Sequence, residues 1–234
     1  MALNRNDLIA LYRRLARTYD LTSNLYRMVG FPMGAFRRAC VGALALRAGD
    51  NVVELGCGTG LNFPLLQQAV GPEGKIVGVD MTDAMLVRAE ERVKRHRWCN
   101  VELIQSDAAQ YEFPSQVDGI LSTFAFEFVA EYHDLIHRCS VALNPGKYLA
   151  IGDVKIPDGA LACLAPYLLP LARPYGTTMD LAHRRPWESV GVYLDGTSVT
   201  EFYFGFAYLA AGCRCASRVP FAELKRKGNE GGTL

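Results

Sequence analysis

Along the middle of the chain, short apolar runs alternate with segments whose apolar residues recur at helical spacing. Short apolar runs predict five strands, at residues 51–55, 75–79, 101–105, 117–122 and 148–152. Helical spacing of apolar residues predicts helices between them, at 61–70, 83–95 (with Thr82 as its N-cap) and 132–143. Because strand and helix alternate, we expect an α/β, Rossmann-like fold: a mainly parallel sheet with helices on both faces.

The flanks of this α/β region have other patterns. An amphipathic helix is predicted by helical spacing of Leu8, Leu11, Tyr12, Leu15 and Tyr19, and a second helix by residues 35–46. Farther on, residues 157–174 mix apolar and proline positions and predict an inserted helical lid, and 187–194 predict a short helix. The β-branched and aromatic run 199–211 predicts a closing antiparallel strand or hairpin.

The length of 234 residues suits one α/β domain with additions. We therefore divide the chain into five segments. They are an N-terminal helical cap (1–47), an α/β core (48–155), a lid or substrate insertion (156–195), the closing strands of the core (196–220) and a disordered polar tail (221–234).

Composition narrows the class of protein. Half of the residues are hydrophobic and a fifth are charged, which is typical of a soluble globular protein. The net charge of +1 gives no bulk attraction to nucleic acid, so we expect no nucleic-acid partner. The seven cysteines form neither a CxxC pair nor a zinc spacing, which predicts reduced thiols, no metal site and a cytoplasmic protein. We expect no signal peptide and no membrane span, since no apolar stretch reaches the required length of about 20 residues.

The charge is unevenly distributed. Residues 1–50 contain eight arginines and three aspartates, a net charge of +5 in a chain whose total is +1. Such an excess favours peripheral contact with an anionic membrane or a lipid phosphate. A solvated helix face is the alternative interpretation.

The stretch 52–62, VVELGCGTGLN, contains the main chemical signal. Gly56, Gly58 and Gly60 lie between a predicted strand and a predicted helix, where glycines let a ligand approach bare backbone at a helix N-terminus. Asp80 ends the next strand, 20 positions beyond Gly60, which is the offset at which such sheets place a carboxylate against a ribose. A glycine-rich turn without a ligand, and a helix-capping role for Asp80, are the alternatives.

The spacing of the glycines discriminates between cofactors. Dinucleotide sites favour G-x-G-x-x-G, so the spacing G-x-G-x-G disfavours a nicotinamide dehydrogenase. Together with the preceding Glu54, it resembles motif I of the class I S-adenosylmethionine (SAM) methyltransferases. The resemblance covers roughly residues 48–155 and implies the class I methyltransferase fold, SAM as cofactor and S-adenosyl-L-homocysteine as product.

The resemblance also implies a set of cofactor-binding residues. Asp80 would accept hydrogen bonds from the ribose hydroxyls, Asp107 would bind the adenine amino group, and Tyr19 would lie near the sulfonium or carboxylate. A turn role for Asp107 and core packing for Tyr19 remain the alternatives. The full set is Tyr19, Glu54, Gly56, Gly58, Thr59, Gly60, Asn62, Asp80, Met81, Asp107, Ala108 and Thr123.

The flanking sequence resembles two narrower families, the ubiquinone/menaquinone C-methyltransferases and the bacterial phosphatidylethanolamine N-methyltransferases. The resemblance rests on ARTYD at 16–20, NLY at 24–26, Arg37-Arg38 and Gly49-Asp50. Segment 58–64, GTGLNFP, favours the second family. The sequence FAFEF at 124–128 replaces the Asn-rich segment that the quinone enzymes have after the fourth strand.

We therefore expect methyl transfer to the amine of a phospholipid headgroup or a similar amphiphilic amine, with a small molecule or lipid as partner. One alternative is a C- or O-methyltransferase of a quinone precursor or small secondary metabolite. The other is a SAM-binding module without catalytic activity.

The predicted substrate-binding residues are Tyr12, Glu127, His183, Arg184 and Tyr203. His183 and Arg184 suit a phosphate or carboxylate on the acceptor, and Tyr203, with Tyr193 and Tyr208, suits an aromatic box for an amine cation. Core packing is the alternative for each aromatic residue. A phenol or ring-carbon acceptor would need a general base, for which Glu127, Asp153 and His183 are candidates, and the sequence ranks none of them as catalytic.

Overall fold

A computed structural model describes residues 4–25 and 31–215 of the chain. The predicted tail, 221–234, lies outside the described residues. The division of the chain into cap, core, lid and closing strands remains a convenient prediction, and the elements below are given as the structure has them.

One sheet organises the molecule. In the described ranges it has seven strands in the order β3-β2-β1-β4-β5-β7-β6. The first five strands are parallel, β7 is antiparallel to β5, and β6 is antiparallel to β7. Both the Rossmann-like class and the closing antiparallel strand are thereby confirmed. The bounds are β1 (Asn51–Leu55), β2 (Lys75–Asp80), β3 (Val101–Gln105), β4 (Val117–Thr123), β5 (Leu143–Val154), β6 (Asp195–Phe202) and β7 (Ala207–Cys213).

Helices cover both faces of this sheet. In the described part of the chain they are α1 (Arg5–Leu15), α2 (Tyr19–Leu25), α3 (Met33–Gly42), α4 (Phe63–Val70), α5 (Asp83–His96), α6 (Tyr132–Ala142), α7 (Ala165–Ala172) and α8 (Pro186–Tyr193). Alternate strand residues point to opposite faces, so Val53 packs with α6 and α8 whereas Val52 packs with α3, α4 and α5. Two apolar layers therefore hold the sheet between them.

The predicted single helix through Tyr19 is wrong, because the structure has two helices there. The N–H and the hydroxyl of Thr18 both donate to the carbonyl of Leu15, at 2.9 and 3.3 Å. Such short-range bonds end a helix by competing with its regular ladder. Tyr19 therefore begins α2, and the change of direction brings it beside Tyr12, with the two ring centroids 6.2 Å apart.

Two other predicted boundaries shift. The strand predicted at 148–152 is part of a longer β5, which starts at Leu143 because an irregularity in the pairing between Val117 and Gly119 absorbs the extra residues. The closing segment is a hairpin, β6–β7, joined by a short turn at Tyr203–Gly205. The strand order reverses between β1 and β4, which is where open α/β sheets form a crevice for ligands.

Candidate functional site

A cavity of about 610 Å³ lies at the carboxyl ends of the central strands. Its volume falls within the range of small-molecule sites. Among the residues predicted to bind a cofactor, eight line it: Tyr19, Gly56, Gly58, Asp80, Met81, Asp107, Ala108 and Thr123. The structure thus brings together residues that are up to 104 positions apart in the sequence, as a reversal of strand order between β1 and β4 requires.

The glycine turn that follows β1 forms one wall of the cavity. Gly56 and Gly58 have φ values of 69° and 54°, a region that glycine adopts without strain. A Cβ on Gly56 would lie 2.3 Å from the Cβ of Ala125, so this glycine is required for packing. A Cβ on Gly58 would meet no atom within 4 Å, so Gly58 leaves its backbone open to a ligand.

Asp80 lies at the edge of the same cavity. Its two carboxylate oxygens accept hydrogen bonds from the N–H groups of Gly58, at 2.9 Å, and Thr82, at 2.8 Å. Burial raises the pKa of Asp80, and these two bonds partly offset the rise. Thr82 is the N-cap of α5 by position, but its side chain accepts no capping bond, and the N–H of Ala84 donates instead to Oδ1 of Asp83, at 2.8 Å.

The remaining predicted cofactor residues, Glu54, Thr59, Gly60 and Asn62, do not line the cavity but support its wall. Asn62 donates to Oε1 of Glu54, at 2.6 Å, and to the hydroxyl of Thr123, at 2.9 Å. The hydroxyl of Thr59 donates to Asp20 of α2, at 2.5 Å, which attaches the N-terminal helices to the glycine turn.

Glu54 is a buried carboxyl group with an unsatisfied oxygen. Its Oε2 has no hydrogen-bond partner in the described part of the chain. Burial raises the pKa of Glu54 to about 7, against opposing contributions from Asn62 and Arg37. An unpaired buried acceptor is costly, so a donor such as an ammonium group would be favourable near it. Together with the open backbone at Gly58 and the carboxylate of Asp80, this fits a ligand with an amino-acid end and a sugar.

The N-terminal helices cover the cavity and are attached by ion pairs. Arg5 lies 3.3 Å from Asp107, and Arg13 lies 2.7 Å from Asp83 at the start of α5. These pairs use part of the arginine excess that predicted contact with a membrane, and Arg37 is buried. Within the described residues, no helix is long and apolar enough to cross a membrane.

A smaller inner cavity, of about 90 Å³, adjoins the large one. Its lining includes Tyr12, Tyr19, Arg37, Phe124 and Glu127. Tyr12, Tyr19 and Phe124 line both cavities, so the two form neighbouring compartments separated by aromatic rings. We refer to it as the inner cavity.

Beyond the inner cavity lies a third, mainly apolar cavity of about 100 Å³. It shares Met33, Phe124 and Val154 with the inner cavity. Tyr203 lines this apolar cavity rather than the inner one, so it is not adjacent to the predicted cofactor site. Tyr208, the other ring expected beside it, packs in the core against Trp187, with ring centroids 4.8 Å apart. The predicted aromatic box is therefore not assembled from these residues.

His183 and Arg184 line none of the three cavities. His183 is exposed. Arg184 donates to the main-chain carbonyls of Phe126 and Val129, and its guanidinium group lies 5.0 Å from the Tyr132 ring centroid. The geometry therefore does not support contact of either residue with an acceptor, because the guanidinium group of Arg184 is already used to hold the turn that contains Glu127.

Glu127, which is half-buried, and Asp153, which is buried, form an acidic pair beside the inner cavity. Glu127 follows β4 on a short turn, Asp153 lies near the end of β5, and the N–H of Glu127 donates to Oδ2 of Asp153 at 2.9 Å. Burial and the neighbouring Asp153 raise the pKa of Glu127 well above its usual value. Burial also raises the pKa of Asp153 to about 7, although three backbone N–H donors oppose the rise.

Arg37, Tyr175 and Thr177 are among the residues of the inner cavity that sequence reasoning missed. The position of Arg37 in the sequence does indicate that its side chain is buried. It lies three and four positions before Cys40 and Val41, on the buried face of α3, whereas Arg38 is exposed. Tyr175 and Thr177 lie in the lid, where no periodic pattern indicates which way a side chain points.

The sheet order and the glycine-turn cavity define a class I methyltransferase fold, and comparison with known proteins agrees. Residues 52–146 match the family described as a methyltransferase domain. A solved SAM-dependent methyltransferase from Aquifex aeolicus superposes with a TM-score of 0.53 at 24% identity, covering 71% of this chain and 83% of that one. The phosphoethanolamine N-methyltransferase 2 of Haemonchus contortus, in complex with SAM, gives 0.58 at 16%, covering 73% and 50%.

Among curated proteins, the chain is similar to two quinone methyltransferases. The demethylmenaquinone methyltransferase of Listeria welshimeri is 27% identical over 150 residues, which is 63% of this chain and 62% of that protein. The 2-phytyl-1,4-naphtoquinone methyltransferase of Thermosynechococcus vestitus is 28% identical over 192 residues, covering 79% and 82%. The chain thus spans less than two thirds of the length of the Listeria relative. Residues 52–146 therefore belong to the methyltransferase domain family, and the chain has the fold of the class I SAM-dependent methyltransferases, whose cofactor is SAM.

Proposed function

We propose that the protein methylates a hydroxylated aromatic small molecule, such as a quinone precursor, at a ring carbon or a hydroxyl oxygen. The acidic pair Glu127–Asp153 beside the predicted cofactor site carries this proposal, because such an acceptor has to lose a proton during the reaction. The names of the Listeria and Thermosynechococcus relatives, both quinone methyltransferases, support the same substrate class. This replaces the phospholipid amine as the preferred acceptor.

The large cavity is the proposed cofactor site. The cofactor supplies a methyl group that its sulfonium has already activated. Gly58 offers open backbone, Asp80 offers a carboxylate for the ribose, and Asp107 and Ala108 lie where the adenine is expected. These residues would bind and orient the cofactor, so the residues that act on the acceptor are expected in the inner cavity.

The acidic pair acts as the proton acceptor. Burial and mutual repulsion keep the two carboxyl groups from ionising fully, and the pKa of Asp153 is about 7. Above this pH the pair holds a negative charge that accepts the hydroxyl proton. The deprotonated acceptor would then take the methyl group through its oxygen or its conjugated ring carbon, with the demethylated thioether as leaving group. After attack through carbon, the ring hydrogen would move to the acceptor's oxygen and restore the aromatic ring. Glu127 is the member that lines the inner cavity, and Asp153 supports it from behind.

Closure of the site excludes water. Tyr12 and Tyr19 come from the N-terminal helices, and Tyr175 comes from the lid, with the Tyr19 and Tyr175 ring centroids 5.8 Å apart. Burial raises the pKa of Tyr12 and of Tyr19, so both rings stay neutral at physiological pH. A closed, aromatic compartment aligns an aromatic acceptor and keeps water from the activated methyl group.

An amine acceptor, including the headgroup of a phospholipid, is the second candidate. One observation favours it: Tyr12, Tyr19 and Tyr175 surround a cavity that also contains the carboxyl group of Glu127. Aromatic faces with a carboxylate can hold a cation. Peripheral membrane contact through the exposed arginines of the N-terminal helices belongs to this candidate.

A product assay tests the two candidates directly. The protein is incubated with methyl-labelled SAM and either a naphthohydroquinone, a catechol, ethanolamine or phosphatidylethanolamine vesicles, and products are identified by mass spectrometry. We expect label in a hydroxyaromatic product. Label only in an amine or a lipid would reject the proposal in favour of the second candidate.

Substitution of the base gives a sharper test. Glu127→Gln keeps size and removes the acid, so we expect turnover to fall by about 10²- to 10⁴-fold, the usual contribution of general base catalysis. Binding of S-adenosyl-L-homocysteine should be unchanged, since Glu127 does not line the large cavity. Glu112→Gln, at an exposed carboxyl group, is the matched control. Full activity of Glu127→Gln would exclude Glu127 as the base.

A further inference from the structure

Arg37 is a buried cation without a paired carboxylate. The residue is 9% exposed, and its Nη1 donates to Oδ1 of Asn62, at 3.2 Å, and to the hydroxyl of Thr123, at 3.1 Å. Its guanidinium group lies 5.5 Å from the Phe124 ring centroid. Both bonded oxygens are neutral, and no ion pair links Arg37 to a carboxylate within the described residues. A buried charge in this position is costly unless an anion balances it.

None of the titratable groups around Arg37 in the described residues lies close enough to form an ion pair with it. Glu54 shares Asn62 with Arg37 but lies beyond ion-pair distance, and burial raises its pKa to about 7. Glu127 faces the same cavity with a raised pKa, and burial likewise raises the pKa of Tyr19 and of Cys40. Asp153 lies farther back and has a pKa near 7. The inner cavity therefore favours an anion in the position that Arg37 faces.

We infer that Arg37 is the oxyanion-binding residue of the inner cavity and receives the phenolate or enolate oxygen of the acceptor, an inference that rests on the proposed function. Arg37 and Glu127 line the same small cavity, so one residue can bind the oxygen while the other accepts its proton. A guanidinium group is suited to this role because it stays charged and presents several donors. The same charge disfavours a protonated amine in the inner cavity.

The carboxylate of the cofactor is the other possible anion. Thr123, which accepts a hydrogen bond from Arg37, lines the large cavity, whereas Arg37 lines only the inner one. The placement favours the acceptor. An experiment that measures binding of the two ligands separately distinguishes the two anions.

The experiment uses 4-nitrophenol, whose absorbance separates the phenol from the phenolate, and 4-nitroanisole, its methyl ether, which cannot ionise. Both are titrated into the full-length protein saturated with S-adenosyl-L-homocysteine. The variants are Arg37→Met and Arg37→Lys, with Arg38→Met as control because Arg38 is the exposed neighbour on the same helix. Binding of S-adenosyl-L-homocysteine to each variant is measured by calorimetry.

We expect Arg37→Met to weaken binding of 4-nitrophenolate by about 10- to 100-fold, the range for a lost hydrogen bond to a charged group. The bound probe should also ionise at higher pH than in the parent. Binding of 4-nitroanisole and of S-adenosyl-L-homocysteine should change by less than about twofold. Arg37→Lys keeps the charge but loses the planar fork, so it should fall between the parent and Arg37→Met.

Three outcomes overturn the inference. Equal binding of 4-nitrophenolate by the parent and Arg37→Met removes the oxyanion role. Loss of S-adenosyl-L-homocysteine binding with unchanged probe binding assigns Arg37 to the cofactor carboxylate. Should Arg37→Met lack the folded circular dichroism spectrum, Arg37→Lys decides, and probe binding equal to the parent overturns the inference.

The experiments distinguish failure of the role of Arg37 from failure of the proposed function. A parent protein that methylates a hydroxyaromatic while Arg37→Met binds 4-nitrophenolate equally well removes only the role of Arg37. A parent that binds neither probe and methylates no hydroxyaromatic removes the proposed function and the inference with it.

Discussion

The large cavity and the inner cavity are adjacent, but the chain builds them by different means. Main-chain geometry forms the first: the glycine turn after β1 and the carboxylate at the end of β2 are fixed by the parallel pairing of two neighbouring strands. Side chains from distant segments form the second, since Tyr12, Arg37, Glu127 and Tyr175 come from two helices, a turn and the lid. A site built from backbone tolerates few changes, whereas a site built from side chains allows the acceptor to vary on a constant fold.

Gly58→Val should have the largest effect, and only on the large cavity. The added side chain would occupy the space that Gly58 leaves open, and its φ of 54° disfavours a β-branched residue. We expect binding of S-adenosyl-L-homocysteine to fall below detection in calorimetry, while 4-nitroanisole still binds. Gly42→Ala, in α3 where a Cβ meets nothing within 4 Å, is the control. Parent-like binding by Gly58→Val would place the cofactor elsewhere.

Asp80→Ala should weaken ligand binding in the large cavity less than Gly58→Val does. The carboxylate is predicted to bind ribose hydroxyls, and a hydrogen bond to a charged group contributes about 1.5–3 kcal/mol. We therefore expect S-adenosyl-L-homocysteine to bind about 10- to 150-fold more weakly. Asp80→Asn, which keeps an acceptor for the N–H of Gly58 or Thr82, separates loss of the ligand contact from distortion of the turn. Unchanged affinity in both variants would contradict the ribose role.

The pH dependence of kcat/KM should reveal a smaller effect, which belongs to the inner cavity. Because the pKa of Asp153 is raised to about 7 and the ionised pair is the proposed base, kcat/KM should fall as pH decreases through 7, by about tenfold per pH unit. Glu127→Gln should flatten this limb. Affinity for S-adenosyl-L-homocysteine has to be measured at each pH, since the pKa of Glu54 is also about 7. A flat profile in the parent would argue against an acidic pair as base.

Local signals explain why the fold and the large cavity could be predicted. The strands β1, β2 and β4 are short, nearly continuous apolar runs. Gly56, Gly58 and Asp80 lie at strand ends, whose positions follow from parallel pairing. Glu54 and Asn62 lie in the wall of the large cavity and not among its lining residues. Their mutual hydrogen bond, which turns both side chains into the wall, has no counterpart in sequence spacing.

The residues that surround the acceptor could not be predicted as well as those of the large cavity. His183 and Arg184 were selected for their charge, but the guanidinium group of Arg184 is used on main-chain carbonyls of the turn before α6. Conversely, Arg37 was passed over because an arginine on a helix is usually solvated, and only its position on the apolar face of α3 indicates burial. Contacts between segments decide these cases, and no local pattern encodes them.

The ion pair between Arg5 and Asp107 attaches α1 to a residue of the predicted cofactor site. Asp107 is the residue predicted to bind the adenine amino group, so a nucleoside that occupies its place competes with Arg5 for one carboxylate. Thermodynamic linkage then requires that release of α1 favours the incoming nucleoside and that a bound nucleoside favours release of α1, by the same factor. Arg5 is half exposed, and the pair is therefore sensitive to ionic strength. Salt should consequently shift the affinity of the large cavity for an adenine nucleoside, so a helix outside the glycine turn would set the ionic-strength dependence of binding.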